Sequence, residues 1–266
     1  MHNIYADEIK IGQKVTIEED IVIRGKSNKN AKRVIIGDNV FIGHSVQMFV
    51  DDIEIGDFTI IHNHTLIAGD KPCRIGHCCW IGQNTILNST GGLSIGNGVG
   101  VGAYSQLWSH ICHGDILQGC RWNSNHPLII EDDVWFVGHC IVSPVHAYEK
   151  SMALVGSVIT KDMEANHVYA GVPAKDVTDK TGPQFSQVTI EDKFIILSKK
   201  LKEFHSFYPQ FPKETIKIVK SMKEAKQLTN DITIFDISSR TYNKRRTPEE
   251  VAFIKFLLQL IKFFPH

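Results

Sequence analysis

The sequence predicts a mostly β fold, a parallel β-helix followed by a small α/β region, on three observations. Aliphatic residues recur every six positions through most of residues 11–154. Glycine often follows the aliphatic residue, and a small or β-branched residue stands four positions after it. A period of six fits neither an α-helix nor one long strand, but it fits a short strand and a turn repeated as the face of a prism. Three faces make a coil of about 18 residues, and stacked coils pair each strand in parallel with the one beneath. Such a solenoid buries one continuous core and needs several coils to be stable.

The anchors run Ile11, Ile17, Ile23; Ile36, Ile42, Met48; Ile55, Ile61, Ile67; Ile75, Ile81, Leu87; and Ile95, Val101, Leu107. After a break they return at Ile130, Phe136 and Val142 and, more loosely, at Tyr148 and Leu154. The second series includes Val40, Val46, Thr59, Thr65, Cys79, Thr85, Val99, Ser105, Val134 and Cys140. Both series point inward, where three faces converge and space is tight. Cys79 and Cys140 are therefore core fillers, a free cysteine behaving as a small hydrophobe. Three positions after an anchor, side chains point outward, and His64, Asn84, Tyr104 and His139 form one polar column. Such a column is either solvated surface or the lining of a groove between packed prisms.

Between Leu107 and Ile130 the chain leaves the prism in a loop at about 108–128. Connections of this length are functional or disordered. Trp108, Ile111, Leu117 and Trp122 make this one too apolar for disorder, so it is expected to fold over something. His110 stands three positions after an anchor, at the base of the loop. Imidazole accepts a proton at neutral pH, which suits it to a general base.

Balanced charge, with 29 Lys and Arg against 29 Asp and Glu, points to no nucleic acid or polyanionic partner. No run of about 18 apolar residues is present to span a bilayer, and the N-terminal stretch lacks the apolar core of a signal peptide. Six cysteines without framework spacing read as reduced thiols, so the expected setting is the cytoplasm.

The repeat, and most specifically "IIEDDVWFVGHCIVSP" and "VGSVITKDMEANHVYAGVPAKDV", resembles the hexapeptide-repeat acyltransferases, in the branch that acetylates xenobiotics, galactosides and sugars. The resemblance covers residues 11 to about 178, with Glu131 standing where glycine is usual and "FVG" replacing an isoleucine-glycine pair. It implies a left-handed β-helix and a homotrimer with sites at the subunit interfaces. It further implies acetyl-CoA as cosubstrate, with direct transfer to a sugar hydroxyl or amine and no covalent enzyme intermediate. By the same comparison His110 is the general base, with His113 as second candidate, and Asn84 orients the acceptor; Tyr104 of the polar column and Trp108 and Trp122 of the loop are further candidates to contact substrate. The acetyl carbonyl would meet the N–H of Gly138, the pantetheine arm would pass Trp135, Val155 and Gly156, and Lys161 and Lys175 would sit near the CoA phosphates. Oxygen and nitrogen acceptors both remain open, as does a larger acyl group.

Other readings compete. A non-catalytic scaffold or an antibiotic-inactivating acetyltransferase would use the same frame. "HNH" at 62–64, "HCC" at 77–79 and "HICH" at 110–113 suggest ligand clusters of a zinc enzyme like the γ-class carbonic anhydrases. However, His62 and His64 alternate in direction along a strand and do not easily share an ion, so no metal is expected. Domain organisation reads as a β-helix over 1–181 and a small α/β region over 182–266. In that region "TIEDKFIILSKKLKEFHSFYP" reads as a helix opened by Thr189, and "DITIFDIS" as a strand. "TPEEVAFIKFLLQLIKFFP" reads as a second helix with Thr247 at its cap and Lys255, Gln259 and Lys262 in a polar stripe. "SSRTYNKRRTP" is a basic segment, either solvated or phosphate-binding.

Overall fold

In the computed structural model, which describes residues 3–225 and 231–266, the chain divides into two compact units, Met1–Phe185 and Ser186–His266. The first unit is the left-handed parallel β-helix. The chain visits three sheets in turn: a first that begins at Asn3–Ile4, a second that begins at Ala6–Ile11 and a third that begins at Thr16–Ile17. Up to the closing hairpin the strands of each sheet pair in parallel and in register, so that Ile23, Met48, Ile67, Leu87, Leu107 and Val142 stack one above another. These anchors and the smaller inward series form one core cluster, with Cys79 and Cys140 inside it. Each buried Val, Leu or Ile side chain contributes about 1.5–3 kcal/mol, and a continuous core repeats that gain at every level.

Two anchors differ from the sequence reading. Ala147 and Ala153, both fully buried, take the inward places below Ile130 and Phe136, not Tyr148 and Leu154. The turn after Val142 has only three residues, 143–145, which shifts the phase by one.

Corners differ in kind. Every connection from the second sheet to the third, and from the third to the first, has four residues. Each such corner carries at least one residue with positive φ, for example Asn39, Phe58 and Cys78 on one edge and His64, Asn84, Tyr104 and His139 on the other. The second-to-third edge is also laced from coil to coil. The N–H groups of Gln13, Asp38, Asp57, His77 and Asn97 donate to side chains of Asp38, Asp57, His77, Asn97 and Asp132, at 2.6–2.9 Å. Connections from the first sheet to the second vary from the single residue Tyr5 to the twenty of 108–127. Glu131, at the glycine place, turns outward; its carboxylate lies 2.7 Å from His146 Nε2 and accepts from the Glu149 N–H at 3.0 Å. The helix closes with the hairpin Val168–Gly171 and Ala174–Asp176.

The second unit has a helix, Ile190–Phe207, whose first turn is capped by Thr189 Oγ1 accepting from the Asp192 N–H at 3.1 Å. A four-stranded sheet is built from Ile216–Val219, Thr233–Asp236, Thr241–Tyr242 and Phe264–Pro265. The second helix is shorter than its sequence suggests. It spans Pro248–Leu257, after which Phe264–Pro265 pairs in parallel with Thr241–Tyr242. Burial of Phe263 and Phe264 draws the tail into the sheet, so Gln259 and Lys262 fall outside the helix that carries Lys255. The basic segment is tied by its backbone. The buried Glu250 carboxylate accepts from the N–H groups of Arg245 at 2.8 Å and Arg246 at 3.0 Å.

Candidate functional site

His110 is held at the root of the loop by the coil beneath it. Leu107 ends the last strand of the first sheet before the loop, and directly below lies the strand Ile86–Asn88. The position after Leu87 carries asparagine, and Asn88 is buried with its side chain turned toward the loop root. Asn88 Oδ1 lies 2.9 Å from His110 Nδ1, and it also accepts from the Ser109 hydroxyl at 2.9 Å and from the Thr90 N–H at 3.1 Å. A backbone N–H can only donate, so the atom facing Thr90 is the amide oxygen and not its NH2 group. His110 Nδ1 must therefore carry the hydrogen, which in the neutral ring leaves the Nε2 lone pair free. Ser109 in turn accepts from the Gly91 N–H at 2.9 Å, closing a buried chain of polar groups. The Trp108 ring meets the His110 ring edge-on with centroids 6.0 Å apart.

Glycine is required beneath this root. A Cβ on Gly91 would stand 2.2 Å from the Ser109 carbonyl oxygen and 2.4 Å from that of His126, the two ends of the loop. Between those ends the chain forms a hairpin, Ile111–Cys112 against Asn123–Ser124, with a short 3-10 turn Ile116–Gln118 at its tip. The sequence reading expects the apolar residues here to fold over something. Within one chain they do not: Ile116, Leu117 and Trp122 are 69%, 89% and 76% exposed. His113 is exposed in the same hairpin and makes no hydrogen bond to any described residue.

The other sequence candidates lie elsewhere. Asn84, Tyr104, Gly138 and Gly156 stand on the third-to-first edge, across the first sheet from the corner that bears His110. There Tyr104 stacks on His139 with ring centroids 5.0 Å apart. Trp135 is exposed on the third sheet and lies over Gly100, where a Cβ would come within 2.9 Å of its ring. Val155 is exposed beside Gly156, whose N–H donates to the Gly138 carbonyl at 2.9 Å. The Gly138 N–H donates to no described group, as is also true of the equivalent N–H groups of Asn63, Gln83 and Ala103, whereas that of His44 is capped by Asn63 at 3.0 Å. Lys161 follows the last strand of the first sheet, and Lys175 sits in the closing hairpin; both are exposed. One chain thus presents the His110 imidazole on one corner and, away from it, an edge with an open N–H at Gly138 and the exposed rings of Tyr104 and Trp135.

Among the described residues no three His, Cys, Asp or Glu side chains stand close enough to hold a metal ion, and no helix is long and apolar enough to cross a membrane. Sequence reasoning missed Asn88 and Ser109. The available signal was a polar residue directly after an anchor, one coil below the candidate base.

No family model matches the sequence. The chain is 25% identical over 146 residues to the galactoside O-acetyltransferase of Escherichia coli (strain K12), covering 54% of this chain and 63% of that protein. It is 28% identical over 187 residues to the bifunctional protein GlmU of Listeria welshimeri, covering 60% of this chain and 38% of that one. The chain therefore spans less than two thirds of the length of either relative. Among solved structures, AntD, an N-acyltransferase from Bacillus cereus in complex with dTDP and coenzyme A, matches with a TM-score of 0.49 at 14% identity, over 76% of this chain and 99% of that one.

Proposed function

We propose that this chain, hexapeptide-repeat in its coils and similar in sequence to a galactoside O-acetyltransferase, is an acetyl-CoA-dependent acetyltransferase acting on a sugar. The observation that carries this reading is the tautomer of His110: Nδ1–H is held by Asn88 at 2.9 Å and Nε2 is left to act. Nε2 takes the proton of the acceptor hydroxyl as that oxygen attacks the thioester carbonyl carbon. The carbon–sulfur bond then breaks, and the imidazolium returns the proton to the leaving thiolate, giving CoA and the acetyl ester. The oxyanion formed between these steps is bound by the open Gly138 N–H. An amine acceptor loses its proton more readily and depends less on His110.

His110 and Gly138 stand on different edges of the prism, so the complete site is assembled between copies, His110 from one and the Trp135–Gly138–Gly156 edge from the next. A homotrimer closes three such sites by rotation. The exposed loop hairpin, with Trp108 and Trp122, then covers acceptor bound at that seam beside Asn84 and Tyr104. Lys161 and Lys175 serve the CoA phosphates. We take the enzyme to act in a reducing cytoplasm, a setting supported by its six free cysteines.

The test is CoA release from acetyl-CoA by purified protein, against sugars and nucleotide sugars carrying either free amines or only hydroxyls. Release that depends on one acceptor and falls by about 10²–10⁴ in His110→Ala supports the base. Release with a hydroxyl acceptor that survives the substitution removes it. No release and no acetyl-CoA binding by calorimetry would leave a scaffold.

A further inference from the structure

We propose that the open N-terminal end of the β-helix pairs with the same end of a second copy, the strands Ala6–Ile11 running antiparallel about a twofold axis through Ile9. This surface lies apart from the catalytic reading and does not depend on it.

Every inner level of the prism has a coil on both sides, and the far end is closed by its hairpin. Among the described residues the strand Ala6–Ile11 of the first coil pairs on one side only, with Ala31–Ile36. Ile9 and Ile11 occupy inward places in register with the fully enclosed Val34 and Ile36, yet both are 46% exposed, with Tyr5 at 50% beside them. Ala6–Ile11 is also the edge strand of the second sheet. The Gly12 N–H donates to the Ile36 carbonyl at 2.8 Å, so Gly12 faces its own sheet. Strand alternation then turns the N–H and C=O groups of Ile11 and Ile9 to the free edge. Half-open core and unpaired backbone coincide there, which makes the edge a template for another strand.

The charges of the strand select its occupant. In an antiparallel pair centred on Ile9, Ile9 lies opposite Ile9 of the other copy, and Glu8 lies opposite Lys10 twice. The pairing uses the outward backbone groups of Ile9. A pair centred on Lys10 sets like charges face to face and aims backbone groups that are already bonded. Within one chain Lys10 Nζ lies 2.6 Å from Glu8 Oε1, so both side chains already sit on one face of the strand, ready to exchange partners. Opposite charges placed across a pair favour it, and like charges oppose it. A twofold contact also closes, so it doubles the copy number without forming a filament.

The test is the mass of the full chain in solution, measured by light scattering over a concentration series. The wild type should hold an even number of copies. Glu8→Lys should raise the concentration for half-dissociation by about tenfold or more, while CoA release per chain is unchanged. The double exchange Glu8→Lys with Lys10→Glu should restore the wild-type mass. In a Cys112→Ser, Cys120→Ser background, Ile9→Cys should form a covalent dimer on mild oxidation and Ile17→Cys should not. A wild-type mass with an odd copy number overturns the proposal. So does a mass indifferent to Glu8→Lys, a double exchange that fails to restore it, or an Ile9→Cys chain that stays monomeric on a denaturing gel. Thermal melts of each variant confirm that the exposed substitutions leave the coil folded.

Discussion

At the residue scale the proposed reaction turns on which nitrogen of His110 bears a proton, and the contact with Asn88 fixes it. A carboxylate in that place would still accept from Nδ1 and from the Thr90 N–H, but it would add charge. An adjacent negative charge favours the imidazolium and raises its pKa. Asn88→Asp should therefore shift the acid limb of the pH–kcat/KM profile upward by about one unit or more, because the base form is reached only at higher pH. Asn88→Ala should lower kcat and leave the Ser109 hydroxyl and the Thr90 N–H without their acceptor, at about 1–3 kcal/mol of stability. A pH profile that does not move in Asn88→Asp would show that Asn88 serves the loop root and not the base. The place of His110 at the departure of the loop was legible in the sequence from its phase relative to Leu107. Asn88 was not, because its partner is twenty-two positions away and adjacent only once coils stack.

At the element scale the regular strands were legible because a period of six leaves one phase that buries every anchor. The slip at Ala147 and Ala153 was not, since a corner of three residues leaves no mark in composition. The tail Phe264–Pro265 was misread as helix because Gln259 and Lys262 continue the helical spacing begun at Lys255, whereas burial of Phe263 and Phe264 draws the tail into the sheet. The closing hairpin has its own pH limit. His167 Nδ1 lies 2.6 Å from Asp176 Oδ2, and with the Thr178 hydroxyl and N–H it holds the Asp176 carboxyl down to about 2. A carboxylate depressed in the folded state adds stability that is present above its unfolded pKa and is lost as pH falls through the folded value. Amide exchange in Val168–Asp176 should thus stay protected as pH drops through 4 and give way only toward about 2. In His167→Ala the loss should begin at higher pH.

At the scale of the whole molecule, the two halves of the candidate site sit on separate edges of one prism. Mixing makes this testable. His110→Ala and Trp135→Ala chains, each inactive alone, should recover about a quarter of wild-type activity when unfolded together and refolded in equal amounts, because random assembly in a ring unites intact halves at that frequency. Recovery no greater than the sum of the separate variants would mean that one chain supplies both halves. The sequence carried the candidate residues but not this partition, which follows from which corner each one occupies.

The unequal corners have a consequence for how such a protein changes over time. Two edges are fixed at four residues per turn, and one of them is laced by side chains from coil to coil. An insertion there would break a bond to the level below and throw every later strand out of phase. The first-to-second edge already accepts segments from one residue to twenty, including the short excursion at 25–30. Novelty is therefore channelled to a single vertical line on the surface. New loops can be grafted along that line at any level, next to the histidine or far from it, while the scaffold beneath them stays the same.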